Sequence, residues 1–434
     1  MPPQPPSAAS RDEPVIRDRG DACPGALRLH AADDGFLARV RIPGGMLDAD
    51  AALLLADAAD RLGDGHIDLT SRGNAQLRGL GAGCGGELEA VLVRAALLPA
   101  PTHERVRNIV ASPLTGLDRR GLPDVAPWVA ELDRLLCASA PAARLSGRFL
   151  FALDDGRGDV TSLAADVNLA ARDADRALLW TADPADAVLV AAADAPRAAL
   201  EAAAYFLDAA LEAGTRAWRV AELPAEHALH AAGLAARLAA AGIDAVLVGD
   251  TAAAHGPAPE PGLVEGPDGV TALSVLAPLG RLTTAQWRRL AGLTGRIRLT
   301  PWRGIIVPDL PAETAADALL GLAEAGLITA GDSPWRSVTA CTGRPGCAKS
   351  LADVRADAQA VVVRATGLLP VHWSGCERRC GHPRGTAWVD VVATRAGYDL
   401  TAAGGTPRRG LRTPELPAAL ADARRTTSHD AAKK

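Results

Sequence analysis

HIDLTSRGNAQLRGL, residues 66–80, has the pattern of two short strands joined at a glycine, and the same plan returns in RIRLTPWRGIIVPDL, residues 296–310. In both places a glycine turn and a helix come first, and a basic strand then ends in Leu-Thr. The aligned positions are Leu69–Thr70 with Leu299–Thr300 and Leu77 with Val307, and the helix is about five residues shorter in the second copy. We predict a duplicated chain whose two halves are related by pseudo-twofold symmetry, with the site between them.

The segments around the two copies alternate between strand-like and helical patterns, which predicts an α+β fold. AVLVAAADAPRAALEAAAYFLDAALEAG, residues 187–214, reads as a strand followed by a long helix, and AAAHGPAPEPGLVEGPD, residues 252–268, is rich in Pro and Gly. The predicted units are a disordered N-terminus (1–20), a first repeat start (21–98), a first α+β domain (99–251), a linker (252–268), a second repeat start (269–312), a second α+β domain (313–411) and a disordered tail (412–434).

The composition of the chain argues against a nucleic-acid-binding protein and against a membrane protein. The chain has 434 residues and a formal net charge of −5, so no basic field favours nucleic acid. Its longest apolar region is interrupted by Asp, Pro, Arg and Glu, which predicts no membrane span. The Pro-rich, charged start lacks the apolar core of a signal peptide, so we expect a cytoplasmic protein whose thiols stay reduced.

Four of the seven cysteines lie in CTGRPGCAKS, residues 341–350, and VHWSGCERRCGHP, residues 371–383. Cys341 and Cys347 are separated by five residues, and Cys376 and Cys380 by three. Clustered thiols of an intracellular protein indicate metal ligands, and these gaps are wider than those of most zinc ribbons. We expect a [4Fe–4S] cluster, since all-thiolate ligation and flanking glycines suit one; a structural zinc site is the alternative.

The first repeat also carries a polar stripe. Arg72, Asn74, Gln76 and Arg78 alternate, which in an extended chain places the four side chains on one face. Guanidinium and amide groups are donors suited to a ligand with several carboxylates, such as a reduced tetrapyrrole. The alternative is a solvated edge strand. No G-x-G-x-x-G opens a strand–helix unit, so electrons would come from a separate donor.

Cys-x5-Cys followed by Cys-x3-Cys resembles the signature of sulfite and nitrite reductases, enzymes that hold sirohaem beside a [4Fe–4S] cluster, and the resemblance runs from about Cys23 to Asp390. It implies duplicated ferredoxin-like halves whose repeat starts pair into one small domain, and it makes Cys380 the bridge from the cluster to sirohaem iron. Arg72, Gln76 and Arg78 fall where the reductases hold sirohaem carboxylates.

The resemblance also maps residues that contact the substrate anion. These are Arg39, Arg107 and Arg148. Three positions depart from the family: Leu150 replaces a second basic residue, Asp68 replaces an Arg before Leu-Thr, and Trp302-Arg303 replaces small amides. Trp302 and Arg303 could stack on and pair with a macrocycle. Loss of the cation at Leu150 weakens a site for reducing sulfite or nitrite, whereas an apolar wall suits O₂.

Within this superfamily the chain looks most like the precorrin-3B synthases, oxygen-dependent monooxygenases of aerobic cobalamin biosynthesis. That resemblance implies precorrin-3A and O₂ as substrates and a separate electron donor, either NAD(P)H-linked or ferredoxin. A mononuclear iron is a further candidate cofactor, with His66, His103, His372 and His382 near the motifs, although solvated or core histidines are the alternative. The other functions considered are a ferredoxin-dependent sulfite or nitrite reductase with sirohaem, and a non-catalytic redox sensor or tetrapyrrole carrier.

Overall fold

A computed structural model describes residues 21, 23–249, 254–365, 367, 369–383, 387–402 and 405–425. The predicted disordered N-terminus lies outside these ranges, as do residues 252–253 of the predicted linker and residues 426–434 of the predicted tail. Within the described ranges, no helix has the length and apolar character needed to cross a bilayer.

The first repeat consists of short strands and two helices. In chain order these are β1 (His30–Ala32), β2 (Gly35–Val40), β3 (Met46–Asp48), α1 (Ala49–Leu62), β4 (His66–Leu69), β5 (Ala75–Leu80) and α2 (Gly85–Arg94). Ala and Leu recur at helical spacing in α1, so its inner face buries Ala52, Leu55 and Ala59 completely.

The following region forms a sheet in the order β11-β10-β9-β8-β7-β6. Its elements are β6 (Ile109–Ala111), α3 (Ala126–Ala138), β7 (Phe151–Asp154), β8 (Val167–Ala171), β9 (Arg176–Trp180), β10 (Asp186–Ala191), α4 (Ala195–Glu212), α5 (Ala231–Ala240) and β11 (Ala245–Gly249). The strand and long helix predicted for residues 187–214 are β10 and α4. Phe206 of α4 packs against Phe149, which also contacts Phe151, and all three rings belong to the core of this region.

The second repeat has the same element order as the first. It contains β12 (Gly262–Glu265), β13 (Val270–Leu276), β14 (Arg281–Thr283), α6 (Thr284–Ala291), β15 (Arg296–Leu299), β16 (Gly304–Pro311) and α7 (Ala312–Glu324). Helix α6 begins with a capping box in which Thr283 and Gln286 satisfy each other's backbone N–H groups. It has 8 residues where α1 has 14, in line with the predicted shortening.

The two repeats exchange a strand. Their sheets have the orders β1-β2-β5-β4-β14 and β12-β13-β16-β15-β3, so β14 joins the first-repeat sheet and β3 joins the second. Helices α1 and α6 share one core, and the buried Trp287 Nε1–H donates to the Ala52 carbonyl across the halves at 2.8 Å. The predicted α+β fold with duplicated, ferredoxin-like halves is confirmed.

The C-terminal region forms the sheet β17-β18-β19-β20-β21. Its elements are β17 (Val338–Ala340), α8 (Val354–Val361), β18 (Val371–Ser374), β19 (Val389–Thr394), β20 (Gly397–Ala402), β21 (Arg408–Leu411) and α9 (Leu416–Ala423). Strands β17, β18 and β19 are parallel, which brings their carboxyl ends to one edge.

Two predicted boundaries were wrong. The predicted linker, residues 252–268, contains β12, the counterpart of β1, and β12 pairs with β13. The predicted disordered tail contains α9 over part of its length: Leu416 and Leu420 are buried, and the Arg424 guanidinium donates to the carbonyls of Ala365, Gly367 and Leu369. Both segments are rich in Pro and Ala, which obscured their few apolar anchors. The remaining domain limits stay predictions.

Candidate iron–sulfur and anion-binding site

Two of the cluster cysteines lie where β17 and β18 end. Cys341 follows β17 directly, and Gly375 and Cys376 follow β18. The Cys341 N–H donates to the Trp373 carbonyl at 2.9 Å, and the Gly375 N–H donates to Cys341 Sγ at 3.2 Å. Parallel strands therefore carry one cysteine of each pair to the same edge of the sheet.

Cys347 lies on a loop that the first repeat holds in place. The Arg78 guanidinium forms a two-point ion pair with Asp34, at 2.9 and 2.8 Å, and also donates to the Gly346 carbonyl at 3.0 Å. The neighbouring Asp33 carboxylate accepts from the Ala348 N–H. The β1–β2 turn thus fixes the loop between the two halves of the molecule.

Cys380 is fixed through His372, which is fully buried. His372 Nε2 lies 3.1 Å from the Cys380 carbonyl oxygen, and Nδ1 lies 2.8 Å from the Thr339 hydroxyl. Since a carbonyl only accepts, Nε2 carries the proton and Nδ1 accepts. Burial, together with the charge of Arg303, lowers the pKa of His372 to about 4, so the imidazole is neutral at pH 7.

The four cysteines suit an iron–sulfur cluster. Burial raises the pKa of Cys341, the N–H groups of Gly375 and Gly343 oppose that rise, and the nearby Cys380 and Cys376 add to it. N–H donors to sulfur are typical of cluster sites. Gly375 leaves no room for a side chain, because an added Cβ would lie 1.9 Å from Ser350 Oγ.

A [4Fe–4S] cubane and a single metal ion require different arrangements of their ligands. In the described ranges, no three His, Cys, Asp or Glu side chains converge as around one metal ion. In a cubane each thiolate binds a different iron, so the sulfurs stand further apart. Four thiolates from two cysteine pairs are the donor set that a [4Fe–4S] cluster takes, and the cluster stays a prediction.

A row of polar side chains crosses the first-repeat sheet. Directly opposed residues on β2, β5, β4 and β14 are Arg39, Gln76, Asp68 and Arg281. Gln76 Oε1 accepts from Arg39 Nη2 at 3.0 Å, and Asp68 lies 3.2 Å from Arg355, whose Nε also donates to the Cys341 carbonyl at 3.3 Å. The row therefore leads from Arg39 to the first cluster cysteine.

The second-repeat sheet has no such row. The corresponding positions there are Ser274, Ile306, Arg298 and Met46. The buried Arg298 donates to the carbonyls of Pro113 and Thr115 at 3.0 and 2.7 Å, so the first α+β region covers this face. The pseudo-symmetry is broken in a way that leaves polar side chains on one half.

Three arginines meet at the other end of the polar row. Arg41 Nη2 and Arg72 Nη1 both donate to the Gly147 carbonyl at 3.3 Å, and Arg39 and Arg41 contact Cys23 Sγ at 3.8 and 3.2 Å. Among the described residues, Arg39 Nε and Arg41 Nη1 are buried without a hydrogen-bond partner. We call Arg39, Arg41 and Arg72 the arginine cluster. Its unused donors can bind an anion.

Two predicted site residues, Arg107 and Asn74, form hydrogen bonds within the protein. Arg107 is buried and forms a two-point ion pair with Asp133, both contacts at 2.7 Å, while Nη1 donates to the Leu97 carbonyl. Asn74 accepts from the Ile42 N–H and donates to Asn108 Oδ1. Their polar atoms hold parts of the protein together, so the structure gives no support to the predictions that Arg107 binds the anion and Asn74 binds a carboxylate, and both stay predictions.

The remaining predicted residues have mixed placements. Arg148 is exposed and its guanidinium lies 4.8 Å from the centre of the Trp218 ring, next to the Gly147 carbonyl that the arginine cluster contacts. Arg78 points to the cysteine loop but is neutralised by Asp34. Leu150 is buried in an apolar cluster with Val110, Ala152, Val160 and Ala165, and Trp302 packs against it.

Of the histidines considered for a mononuclear iron, His372 and His382 both pack on Trp388, whereas His66 and His103 lie in the first half of the chain. His103 is buried, with ring nitrogens 2.9 Å from Thr102 Oγ1 and the Ser139 carbonyl. His66 contacts the Asp64 carbonyl, and His382 stacks on Trp388 with ring centres 5.5 Å apart. Each has a structural contact.

The sequence reasoning missed Arg41 and Arg355. Arg41 carried a visible signal, since it lies two residues after Arg39 in the same alternating segment, just past the end of β2. No sequence pattern marks Arg355, because its contacts with Asp68 and the Cys341 carbonyl join regions far apart in the sequence.

Comparison with known proteins shows which families the chain is similar to. The model of the nitrite/sulfite reductase ferredoxin-like half domain matches residues 29–83 and 264–325, the two repeats. The NirA protein of Mycobacterium tuberculosis has a similar fold, with a TM-score of 0.66 and 20% identity over 88% of this chain and 79% of that one. The two repeats are therefore similar to nitrite/sulfite reductase half domains, and the fold of the chain is similar to that of NirA.

Curated relatives fall into two groups of oxidoreductases. A precorrin-3B synthase from Sinorhizobium sp is 29% identical over 424 residues, which cover 91% of this chain and 85% of the relative. A ferredoxin–nitrite reductase from Synechococcus elongatus is 29% identical over 396 residues, covering 80% of this chain and 74% of the relative. Identity alone does not separate the two groups.

Proposed function

We propose that the chain is an oxygen-dependent monooxygenase of aerobic cobalamin biosynthesis that converts precorrin-3A to precorrin-3B. One atom of O₂ enters C-20 as a hydroxyl, and the ring A acetate closes a γ-lactone. The other atom leaves as water, with two electrons and two protons from a separate donor. The similarity to a precorrin-3B synthase over most of the chain supports this proposal. We place the reaction in the cytoplasm, where cluster cysteines stay reduced.

The observation that favours a monooxygenase over a sulfite or nitrite reductase is the apolar wall at Leu150. The resemblance to the reductases assigns a second cation to this position, yet Leu150 is 3% exposed and surrounded by apolar side chains, with Trp302 against it. A site that reduces sulfite or nitrite needs cations around the small anion to stabilise charge as bonds to oxygen break. A neutral oxidant such as O₂ has no such need.

The chain's own residues would bind and orient the macrocycle. The arginine cluster and Gln76 supply donors for its carboxylates, and Arg72 is still protonated at pH 7, although burial lowers its pKa to about 10. Cys341, Cys347, Cys376 and Cys380 would hold the [4Fe–4S] cluster, which supplies single electrons when bound. A mononuclear iron remains a candidate for oxygen activation.

The test is incorporation of labelled oxygen. Anaerobically purified, cluster-loaded protein is mixed with precorrin-3A and reductant and then exposed to ¹⁸O₂. We expect a product heavier by one oxygen atom, which carries the label. Cys380→Ser should lose both the cluster signal and turnover, whereas Cys137→Ser, which changes a scattered cysteine, should keep both. Recovery of unchanged precorrin-3A from fully loaded protein would refute the proposal.

The second candidate is a ferredoxin-dependent sulfite or nitrite reductase. The arginine cluster favours it, because unpaired guanidinium donors also suit a small anion. This candidate predicts stoichiometric sirohaem on acid–acetone extraction and viologen-driven reduction of the anion. A broad iron–sulfur spectrum without an extractable macrocycle would favour the monooxygenase.

A further inference from the structure

Arg303 occupies a backbone position that suits glycine. The turn that contains it repeats the turn of the first half. The backbone N–H groups of Thr70 and Thr300 each donate to the carbonyl four residues later at 2.9 Å. The backbone N–H groups of Gly73 and Arg303 each donate to the carbonyl of that threonine at 3.2 Å. Gly73 has φ +64° and Arg303 has φ +62°. A non-glycine residue is disfavoured in this left-handed region, because its Cβ lies too close to the following carbonyl oxygen. An arginine is therefore held there against a local penalty.

The Arg303 side chain extends towards the cysteine loop. A Cβ built on Gly280 would lie 2.5 Å from Arg303 Cδ, so the chain runs closely over this glycine. A Cβ built on Gly381 would lie 3.8 Å from Arg303 Nη2, which places the guanidinium beside the residue that follows Cys380. Arg303 Nη1 is buried and has no hydrogen-bond partner in the described part of the chain.

The surrounding protein does not neutralise this charge. Asp68 is the acidic group that acts on Arg303, and it already interacts with Arg355 at 3.2 Å and Arg281 at 3.6 Å. The second positive group acting on Arg303 is Arg355 itself. Arg281 has a second partner in Asp64 at 2.6 Å, so Arg303 and Arg355 are left with Asp68 as their acidic group next to the cysteine loop, whereas Arg78 pairs with Asp34.

We infer that Arg303 faces the cluster held by the four cysteines and raises its reduction potential. A [4Fe–4S] group with four thiolates is an anion, and its negative charge grows by one when it accepts one electron. A nearby, poorly solvated cation stabilises the reduced form more than the oxidised form. This inference rests on the cluster assignment of the proposed function, and it gives Arg303 a different role from the carboxylate binding expected from the sequence.

The experiment is a redox titration of the cluster, monitored by electron paramagnetic resonance, in loaded full-length protein without macrocycle or O₂. Dithionite donates the single electron, and no atom is transferred. Arg303→Gln should raise the oxidised-to-reduced ratio at a fixed potential about tenfold, which corresponds to a midpoint about 59 mV lower. Arg303→Gly should shift it in the same direction and also relieve the left-handed backbone. Arg303→Lys, which keeps the charge, should stay near the wild-type midpoint.

Arg409→Gln is the matched control, because this exposed arginine lies on β21, at the other side of the same sheet from β17. Its midpoint should equal that of the wild type. An unchanged midpoint in both Arg303→Gln and Arg303→Gly would overturn the inference, as would an equal shift in Arg303→Lys. If the midpoint is unchanged but macrocycle affinity falls, Arg303 is a carboxylate ligand instead. The titration needs no turnover, so its result and that of the labelling experiment are independent.

Discussion

The Gly147 carbonyl receives more donors than one oxygen can satisfy. Cys23 Sγ lies 3.4 Å away, and Arg41, Arg72 and Asn108 each approach to 3.3 Å. A carbonyl has two lone pairs, so these contacts are shared and weak. Such crowding leaves the arginine cluster positively charged and incompletely paired, which is unfavourable unless an anion completes it.

We expect Arg72→Ala to weaken binding of precorrin-3A by roughly 10- to 100-fold, since a hydrogen bond to a charged group contributes about 1.5–3 kcal/mol. Quenching of tryptophan fluorescence during titration measures the affinity. The cluster spectrum should not change, because Arg72 contacts Gly147 and not a cysteine loop. Unaltered affinity would remove Arg72 from the binding site.

Arg107→Ala provides the contrast within the same set of arginines. Removing one partner of its buried ion pair with Asp133 should lower the free energy of unfolding by about 3 kcal/mol. Urea denaturation measures this change. Affinity for the macrocycle in the folded fraction should equal that of the wild type; a selective loss of affinity at full stability would restore Arg107 to the site.

Among the elements, the loop after β7 concentrates buried acids. Asp154, Asp155 and Asp159 are fully buried, and Arg157 pairs with Asp155 and Asp118. Asp159 Oδ1 accepts from the Ser112 hydroxyl at 2.6 Å, while Oδ2 is buried without a partner in the described ranges. Burial raises the pKa of Asp159 from 3.8 to about 7, and the Asp154 carboxylate adds to this.

This loop should make stability depend on pH. In the unfolded chain Asp159 loses its proton near pH 4, whereas in the folded protein it keeps the proton up to about pH 7. Since the folded state binds more protons between these two pH values, the contribution of Asp159 to the free energy of unfolding is fully present below pH 4 and falls as the pH rises to 7. Asp159→Asn should flatten this part of the curve. Urea midpoints at several pH values from 4 to 8 check it, and identical profiles for both proteins would contradict it.

Local patterns predicted the elements well and their partners poorly. The Leu-Thr ends, glycine turns and helical spacing are properties of short segments, so β4, β5, β15 and β16 could be predicted. Alternation also gave the correct buried face of β5, where Ala75 and Leu77 are fully buried. The partner of Arg107 is Asp133 on α3, and nothing in either segment encodes that contact. Long-range pairing separated the structural arginines from those with free donors.

On the scale of the whole molecule, duplication supplied two similar sheets and divergence gave them different tasks. Arg298 of the second sheet is covered by the loop at Pro113 and Thr115, whereas Asp68, its counterpart in the first sheet, interacts with Arg355 beside the cysteine region. Equivalent positions of the two sheets therefore form a packing surface in the second half and part of the candidate site in the first half. Neither half contains the complete site.

The exchange of β3 and β14 should make the halves dependent on each other. If the chain is divided into fragments 1–253 and 254–434, each fragment lacks one strand of its repeat sheet and exposes one side of the α1–α6 core. We expect the repeat sheet of each separate fragment to be unfolded, while the first α+β region and the C-terminal sheet keep their own cores, and we expect the co-expressed fragments to form a stable pair that binds the cluster. Circular dichroism and co-purification measure the two outcomes. Separate fragments whose summed circular dichroism equals that of the pair would show that the exchanged strands are dispensable.

Trp287→Ala should weaken that pairing, because the fully buried indole crosses the boundary to Ala52 and truncation of a buried aromatic costs about 3–5 kcal/mol. The dissociation constant of the fragments should rise by at least about a hundredfold. Trp128→Ala is the matched control, since Trp128 is half-buried on α3 and packs within the first α+β region. Equal effects of the two substitutions would mean that the loss reflects general destabilisation and not the contact between the halves.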